Sequence, residues 1–388
     1  MSVSSTRTDA LNPAAAQNPA ALLDTENLRA DVDAAVTAHL RRLTAEVGAI
    51  SPSAEAMVEE AAGLLMGGKR LRAAFCYWSF RAHGGSADPA DPARVATVRV
   101  GAALELFQAA ALLHDDVMDN SDTRRGRPTT HRAFAAKHAD AGWSGEPVRF
   151  GDAAAILLGD LVLLAAQREL SAALAPLPAD VAEAARARFD AMQSEVVVGQ
   201  YLDVLVQAEP WGDDPGSDEE RARKVLRAKS ASYSVAAPLA LGALLAGRGT
   251  EAAADIEAAG LPLGEAFQLR DDVLGVFGDP AVTGKPAGDD LREGKRTVIV
   301  ARTLALLHDP DGPEAATLTA ALGDPDLSEE DVARVREVIV GSGALDAVEQ
   351  LIADLAVRAH ALLDLAHLAE PGKGVLTDLA HAAVDRAA

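Results

Sequence analysis

An apolar run with helical spacing, Gly101 to Leu113, ends directly in three carboxylates: Leu112-Leu113-His114-Asp115-Asp116-Val117-Met118-Asp119. No other junction constrains the chain as much. On a helix Asp115 and Asp119 stack on one face, with Asp116 about 100° round the axis. The three repel one another near a helix C-terminus, where the macrodipole disfavours each by ~0.3–1 kcal/mol. A positive partner must offset both terms. Arg124, Arg125 and Arg127 follow closely and can supply part of it. A hard divalent cation that also meets a phosphate would supply more, since Mg²⁺ takes one or two carboxylates plus substrate phosphates.

A second stretch answers the first. Phe267-Gln268-Leu269-Arg270-Asp271-Asp272 again places paired carboxylates after an apolar helical run, and continues through Gly275 to Asp279-Pro280. One acidic pair on a helix is usually a solvated face. Two aspartate-rich helix ends, each led by apolar residues and followed by basic ones, are hard to explain as surface.

The rest of the chain is built for helices. Hydrophobic residues make up 49% and aromatics only 4%, so the apolar content is Ala, Leu and Val. Alternating β-branched segments are scarce, and no sheet is expected. Helices are expected over Asp24 to Val47, Ser51 to Met66, Ala73 to His83, Ala93 to Asp119, Ala153 to Leu174, Val181 to Gln207, Arg221 to Gly247 with a kink at Pro238, and Thr250 to Phe277. His138 to Asp152, Glu209 to Glu220 and Asp279 to Asp290 read as loops. Amphipathic helices follow Thr303. Residues 1–20 lack periodicity and read as a disordered tail. No repeat or linker divides residues 21–388, which read as a single large all-α bundle.

The net charge of -22 argues against a nucleic-acid surface but leaves room for a local basic pocket. Cys76 is the only cysteine, so no intrachain disulfide forms; within Phe75-Cys76-Tyr77-Trp78 it reads as a small buried hydrophobe. The amino terminus has no apolar core of signal-peptide type, and apolar runs such as Val235 to Gly247 look too short and interrupted to span a bilayer. The expectation is a soluble cytoplasmic protein.

Charged groups inside a helical bundle must be paired or metal-bound. The acidic interruptions are Asp115, Asp116, Asp119, Asp271 and Asp272. The basic ones are Lys69, Arg72, Arg124, Arg125, Lys229, Lys285 and Lys295, with Gln108, Gln200 and Gln268 neutral. If the acidic motifs face each other, several Mg²⁺ ions could bridge them to one diphosphate and stabilise its departure, with lysines on the remaining oxygens. Lys69-Arg70-Leu71-Arg72 follows Gly67-Gly68 and opens a helix, which suits anion capture; taken alone, these are ordinary surface bases. With Arg125 they could hold a second diphosphate without metal. Two diphosphates beside apolar helix walls point to substrates with hydrocarbon tails.

The ordered motifs resemble the polyprenyl synthetase family, the trans-isoprenyl diphosphate synthases. They are GGKRLR at 67–72, ELFQ with HDDVMD at 105–119, RRG at 124–126, GQYLD at 199–203, KSASYS at 229–234, FQLRDD at 267–272, then GK at 284–285 and GKR at 294–296. The resemblance implies the isoprenoid synthase fold around a central cavity, a homodimer, three Mg²⁺ ions per active site, and head-to-tail condensation of isopentenyl diphosphate with an allylic diphosphate. By position, Asp115, Asp119 and Asp271 would bind metal, and Asp116 and Asp272 would support metal-bound waters. Arg124, Lys229, Ser230, Gln268, Lys285 and Lys295 would hold the allylic diphosphate. Lys69, Arg72, Gln108 and Arg125 would hold isopentenyl diphosphate. The family's second motif usually reads DDxxD, whereas here its last position is Gly275. Asp279, one turn along, could replace it through water, and Gly275 is expected to be compatible with activity.

The helix before Asp115 should line the tail pocket. Ala111 and Ala110 lie about 6 and 7.5 Å below the metals, and both are small where a farnesyl-length enzyme carries bulk. Phe107, about 12 Å down, is the first large ring and a candidate floor; plain core packing would explain it equally well. The first motif lacks the two-residue insertion of some members. These features point to the twenty-carbon product, geranylgeranyl diphosphate. A farnesyl or longer polyprenyl synthase differs only in the shaft. A terpene cyclase would need an Asn/Ser/Glu-type second motif, and a non-catalytic partner subunit tends to lose the aspartates that are present here.

Overall fold

Long Ala- and Leu-rich stripes bury a face against a neighbouring helix, and the computed structural model shows that packing throughout. It describes residues 25–212, 215–279 and 287–384. The tail expected over residues 1–20 and the site residue Lys285 lie outside them. The helices are α1 (Leu28–Ile50), α2 (Glu55–Leu65), α3 (Leu71–Ala82), α4 (Pro92–Met118), α5 (Thr130–Asp140), α6 (Pro147–Leu174), α7 (Ala179–Ala208), α8 (Pro215–Leu226), a π-helical segment (Arg227–Ala236), α9 (Ala237–Leu245), α10 (Gly249–Phe277), α11 (Asp289–Arg292), α12 (Val298–Leu306), α13 (Pro313–Ala321), α14 (Glu329–Gly341), α15 (Ala344–Leu365) and α16 (Gly372–Val384).

The α4 helix is the core element. Asp91 caps it by accepting from the amides of Ala93 and Arg94, and Pro92 opens the first turn where no donor is missed. It packs against α6, α3 and α1. By length and composition α4 could cross a membrane, contrary to the expectation that every apolar run is too short; most of it is instead buried inside the bundle.

Four other expectations are corrected. A short sheet does exist: Thr123–Arg124 pairs antiparallel with Arg127–Pro128. Its turn residues Arg125 and Gly126 both have positive φ, 53° and 72°, as a type I′ hairpin requires. The loop expected over His138 to Asp152 shrinks, because α5 runs to Asp140 and Glu146-Pro147 caps and starts α6. The acidic stretch Glu209 to Glu220 is partly helix: α8 carries Asp218 in its first turn and Arg223 and Lys224 in its last, matching the macrodipole.

Finally, Pro238 marks not a simple kink but the end of ten residues of π-helix. A π turn bonds i to i+5, is rare, and frequently sits at functional sites. Its widened backbone is met by glycines. A Cβ at Gly199 of α7 would fall 2.3 Å from the Lys229 nitrogen, and one at Gly264 of α10 would fall 2.4 Å from the Ala231 carbonyl. Larger residues would push both helices off the segment.

Candidate active site

The three carboxylates at the end of α4 each meet a cation from elsewhere in the chain. Lys229, on the π segment, places Nζ 2.9 Å from Asp115 Oδ1 and donates at 2.6 Å to Asp203 of α7. Lys295, in the turn after α11, places Nζ 2.9 Å from Asp119 Oδ2 and 3.7 Å from Asp290, and also pairs with Glu293. Arg124 returns from the hairpin to donate through Nε to Asp116 Oδ1 at 2.7 Å, with Nη2 3.7 Å from Asp115.

Burial sets the charge state of this cluster. It pushes the Asp115 carboxyl up, but Lys229, Lys295 and Arg124 outweigh it and hold the group well below the usual range. For Asp119 burial, with repulsion from Asp115 and Glu293, wins over Lys295 and the carboxyl is raised. Burial likewise opposes the charge on Lys229 and Lys295, and the surrounding carboxylates keep both ammonium groups charged.

The second motif reaches the same place. Asp271 and Asp272 stand near the end of α10, and Asp272 is buried and accepts from Gln268 Nε2 at 2.9 Å. Burial first, then the neighbouring Asp290 and Asp271, pushes the Asp272 carboxyl up to about 8. Lys295 is the link: it contacts Asp119 of the first motif and its charge also acts on Asp272 of the second.

Asp279 lies past the end of the helix that carries the motif. The α10 helix ends at Phe277, so Asp279 is exposed beyond it rather than one turn further along. The space at Gly275 is filled from elsewhere: a Cβ there would lie 1.9 Å from Asp290 Oδ2. A carboxylate from α11 therefore stands where an aspartate at 275 would project.

The basic knot divides by role. Arg70, with positive φ, is buried and structural, donating to Asp33 at 2.8 Å, Glu105 at 3.3 Å and the Leu65 carbonyl at 2.6 Å. Lys69 is exposed. Arg72 turns inward: Nη2 donates to Ser234 at 2.9 Å, while buried Nε has no hydrogen-bond partner. Gln108 and Arg125 line one narrow cleft together with Gly68 and Arg70. Burial and then Arg124 weaken the hold of Arg125 on its proton. Ser230 is half-buried on the π segment, one residue from Lys229.

The donor set fits magnesium. The acids are hard oxygen ligands, and two buried oxygens, Asp115 Oδ1 and Asp119 Oδ2, lie within ion-pair distance of lysines yet receive no hydrogen bond. Among the described residues no three side-chain ligands close around one point.

Known proteins resemble this chain in sequence and fold. The sequence profile described as polyprenyl synthetase matches residues 55–339. The chain belongs to the polyprenyl synthetase family. Its structure superposes on the geranylgeranyl pyrophosphate synthase of Corynebacterium glutamicum, solved with isoprenyl diphosphate and magnesium, with a TM-score of 0.83 and 37% identity over 94% of this chain and 99% of that one. The geranylfarnesyl diphosphate synthase of Aeropyrum pernix is 34% identical over 73% of this chain and 79% of its own length. A (2E,6E)-farnesyl diphosphate synthase of Mycobacterium tuberculosis is 32% identical over 83% of this chain and 80% of its own. As a family member the chain is a prenyltransferase, and relatives with three product lengths leave the length to be argued from its own residues.

On α4, Ala110 is buried and Ala111 half-buried. Phe107 is buried with its ring 6.2 Å from Phe189 and 6.0 Å from Tyr233, both edge-on. Asp203, the last residue of the GQYLD stretch, had no task assigned from the sequence; it steadies Lys229. Asp290 and Glu293 were missed. Both lie in or next to a polar Gly/Pro stretch whose only signal is a run of acids ahead of Gly294-Lys295-Arg296.

Proposed function

We propose that this prenyltransferase makes geranylgeranyl diphosphate by Mg²⁺-dependent head-to-tail condensation of isopentenyl diphosphate with allylic diphosphates. The observation that carries the reading is Lys295, which joins the acids of both motifs in one buried polar patch at the end of apolar helices. Lys229, Arg124 and Lys295, now spent on carboxylates, would turn to the allylic diphosphate, and Ser230, Gln268 and Lys285 would share its oxygens. Asp115, Asp119 and Asp271 would hold the metal, three ions in all, with Asp116 and Asp272 orienting its waters. Bound magnesium would neutralise charge on the leaving diphosphate. The allylic C–O bond breaks, the double bond of isopentenyl diphosphate forms the new C–C bond, and a proton leaves to the released diphosphate.

Lys69, Arg72, Gln108 and Arg125 would grip isopentenyl diphosphate. The unpartnered Arg72 Nε supports this, because a buried guanidinium donor without an acceptor is costly unless an anion arrives. Small residues at Ala110 and Ala111 keep the upper shaft open, and Phe107 closes it at a depth suited to twenty carbons.

A second copy of the chain is the partner in this reading. Ile156, Leu157 and Leu164 on α6 and Val197, Val198, Tyr201 and Val204 on α7 are large apolar residues left exposed on helices that pack together. A homodimer would cover them. The cytoplasm is the compartment we assign.

Incubation with Mg²⁺, labelled isopentenyl diphosphate and each allylic starter, followed by product chromatography, tests the reading. A dominant C20 product supports it. C15 or products beyond C20 would keep the chemistry and refute the length, and no condensation would refute both.

A further inference from the structure

Four side chains form a continuous stack from the basic knot into the interior. The Arg72 guanidinium lies 4.2 Å from the Tyr233 ring centroid. Tyr233 meets Phe107 edge-on at 6.0 Å, and Phe107 meets Phe189 at 6.2 Å. Arg72 is also tied to the next residue by its bond to Ser234.

The π segment makes this possible. In an α-helix Ser234 would point about 140° away from Lys229. At roughly 4.4 residues per turn, a π-helix brings Tyr233 and Ser234 to either side of the Lys229 direction. One widened turn thus presents Lys229 to the acidic cluster, and Tyr233 and Ser234 to Arg72. The glycine contacts from α7 and α10 hold it in that form.

We propose that Tyr233 couples the grip on isopentenyl diphosphate to product length: its ring is at once the platform for Arg72 and the wall that backs Phe107. This rests on the function proposed above. Loss of the ring removes a buried cation–π contact and leaves a gap beside the floor, so one substitution should alter two properties that separate residues would otherwise control.

The test uses full-length enzyme with Mg²⁺ and a fixed allylic starter, with isopentenyl diphosphate varied to obtain KM and held saturating to compare product length. Tyr233→Leu is expected to raise KM for isopentenyl diphosphate ~3- to 30-fold and to shift products by at least one isoprene unit to longer chains. Tyr233→Phe keeps the ring and is expected to rescue both. Arg72→Gln, at the half-buried outer end of the stack, is expected to raise the same KM and also to lengthen products, because Tyr233 is no longer held from above. A weaker grip alone would shorten products, so lengthening cannot follow from KM. Product length or KM unchanged in Tyr233→Leu overturns the coupling, as does product length unchanged in Arg72→Gln. If Tyr233→Leu does not fold, the product length of Arg72→Gln decides. Failure of the wild-type enzyme to condense these substrates would instead overturn the underlying function.

Discussion

Two buried charge clusters in this molecule look alike in composition and behave differently. Between α1, α4 and α6, Glu169 accepts from His39 at 2.7 Å and Arg42 at 3.1 Å through one oxygen, and from Arg99 at 2.7 Å through the other. Burial pushes its carboxyl up, but the His39 and Arg99 hydrogen bonds outweigh it and hold the group at about 2. Every oxygen is satisfied. At the α4 and α10 ends the acids crowd one another, two buried oxygens lack hydrogen bonds, and Asp272 is pushed up to about 8. A satisfied buried charge holds helices together; a crowded, incompletely bonded one is poised for ions and a ligand that complete it.

Asp115→Ala and Asp271→Ala should separate the clusters most sharply. Each is expected to lower turnover ~10³-fold or more; Asp271→Ala should leave the melting temperature unchanged or higher, as repulsion with Asp272 is relieved, whereas Asp115→Ala should lower it, because Lys229, Lys295 and Arg124 lose a favourable partner. Near-normal turnover in Asp271→Ala would remove the second motif from metal binding. Glu169→Gln should do the reverse: thermal unfolding shows a loss of about 2–3 kcal/mol, and turnover of the folded enzyme stays within about twofold.

The Glu169 contribution has a definite pH sign. Its folded value is depressed from 4.5 to about 2, so its stabilisation is present above pH 4.5 and is lost as pH falls toward 2. Glu169→Gln should flatten that part of the acid-unfolding curve and leave the neutral region parallel to wild type.

Gly275→Asp, which restores the family's usual motif, is expected to cost up to about tenfold in turnover, because Asp290 already fills the space. Pairing it with Asp290→Ser should recover most of the loss, and higher activity in the single variant would contradict the exchange. Phe107→Ala should have the smallest effect on rate and lengthen the products; an unchanged chromatogram would return Phe107 to plain packing.

The readable parts were those with local signals. Apolar periodicity set most helices within a few residues, and acids and bases at helix ends marked the site because they conflict with burial. What escaped depends on distant neighbours. Asp290 reads as a loop residue until the chain folds back onto Gly275. The π segment has no period of its own: Pro238 reads as a simple kink, and the glycines that meet the segment, Gly199 and Gly264, lie on other helices. The ring contacts of Phe107 join residues from three separate elements, which no single window contains.

The most direct measurement is a crystal structure with Mg²⁺ and a non-hydrolysable allylic diphosphate. The account predicts metal ions between Asp115, Asp119 and Asp271, with Lys229 and Lys295 moved from their carboxylates onto diphosphate oxygens. A diphosphate bound elsewhere, with both lysines still on Asp115 and Asp119, would contradict it.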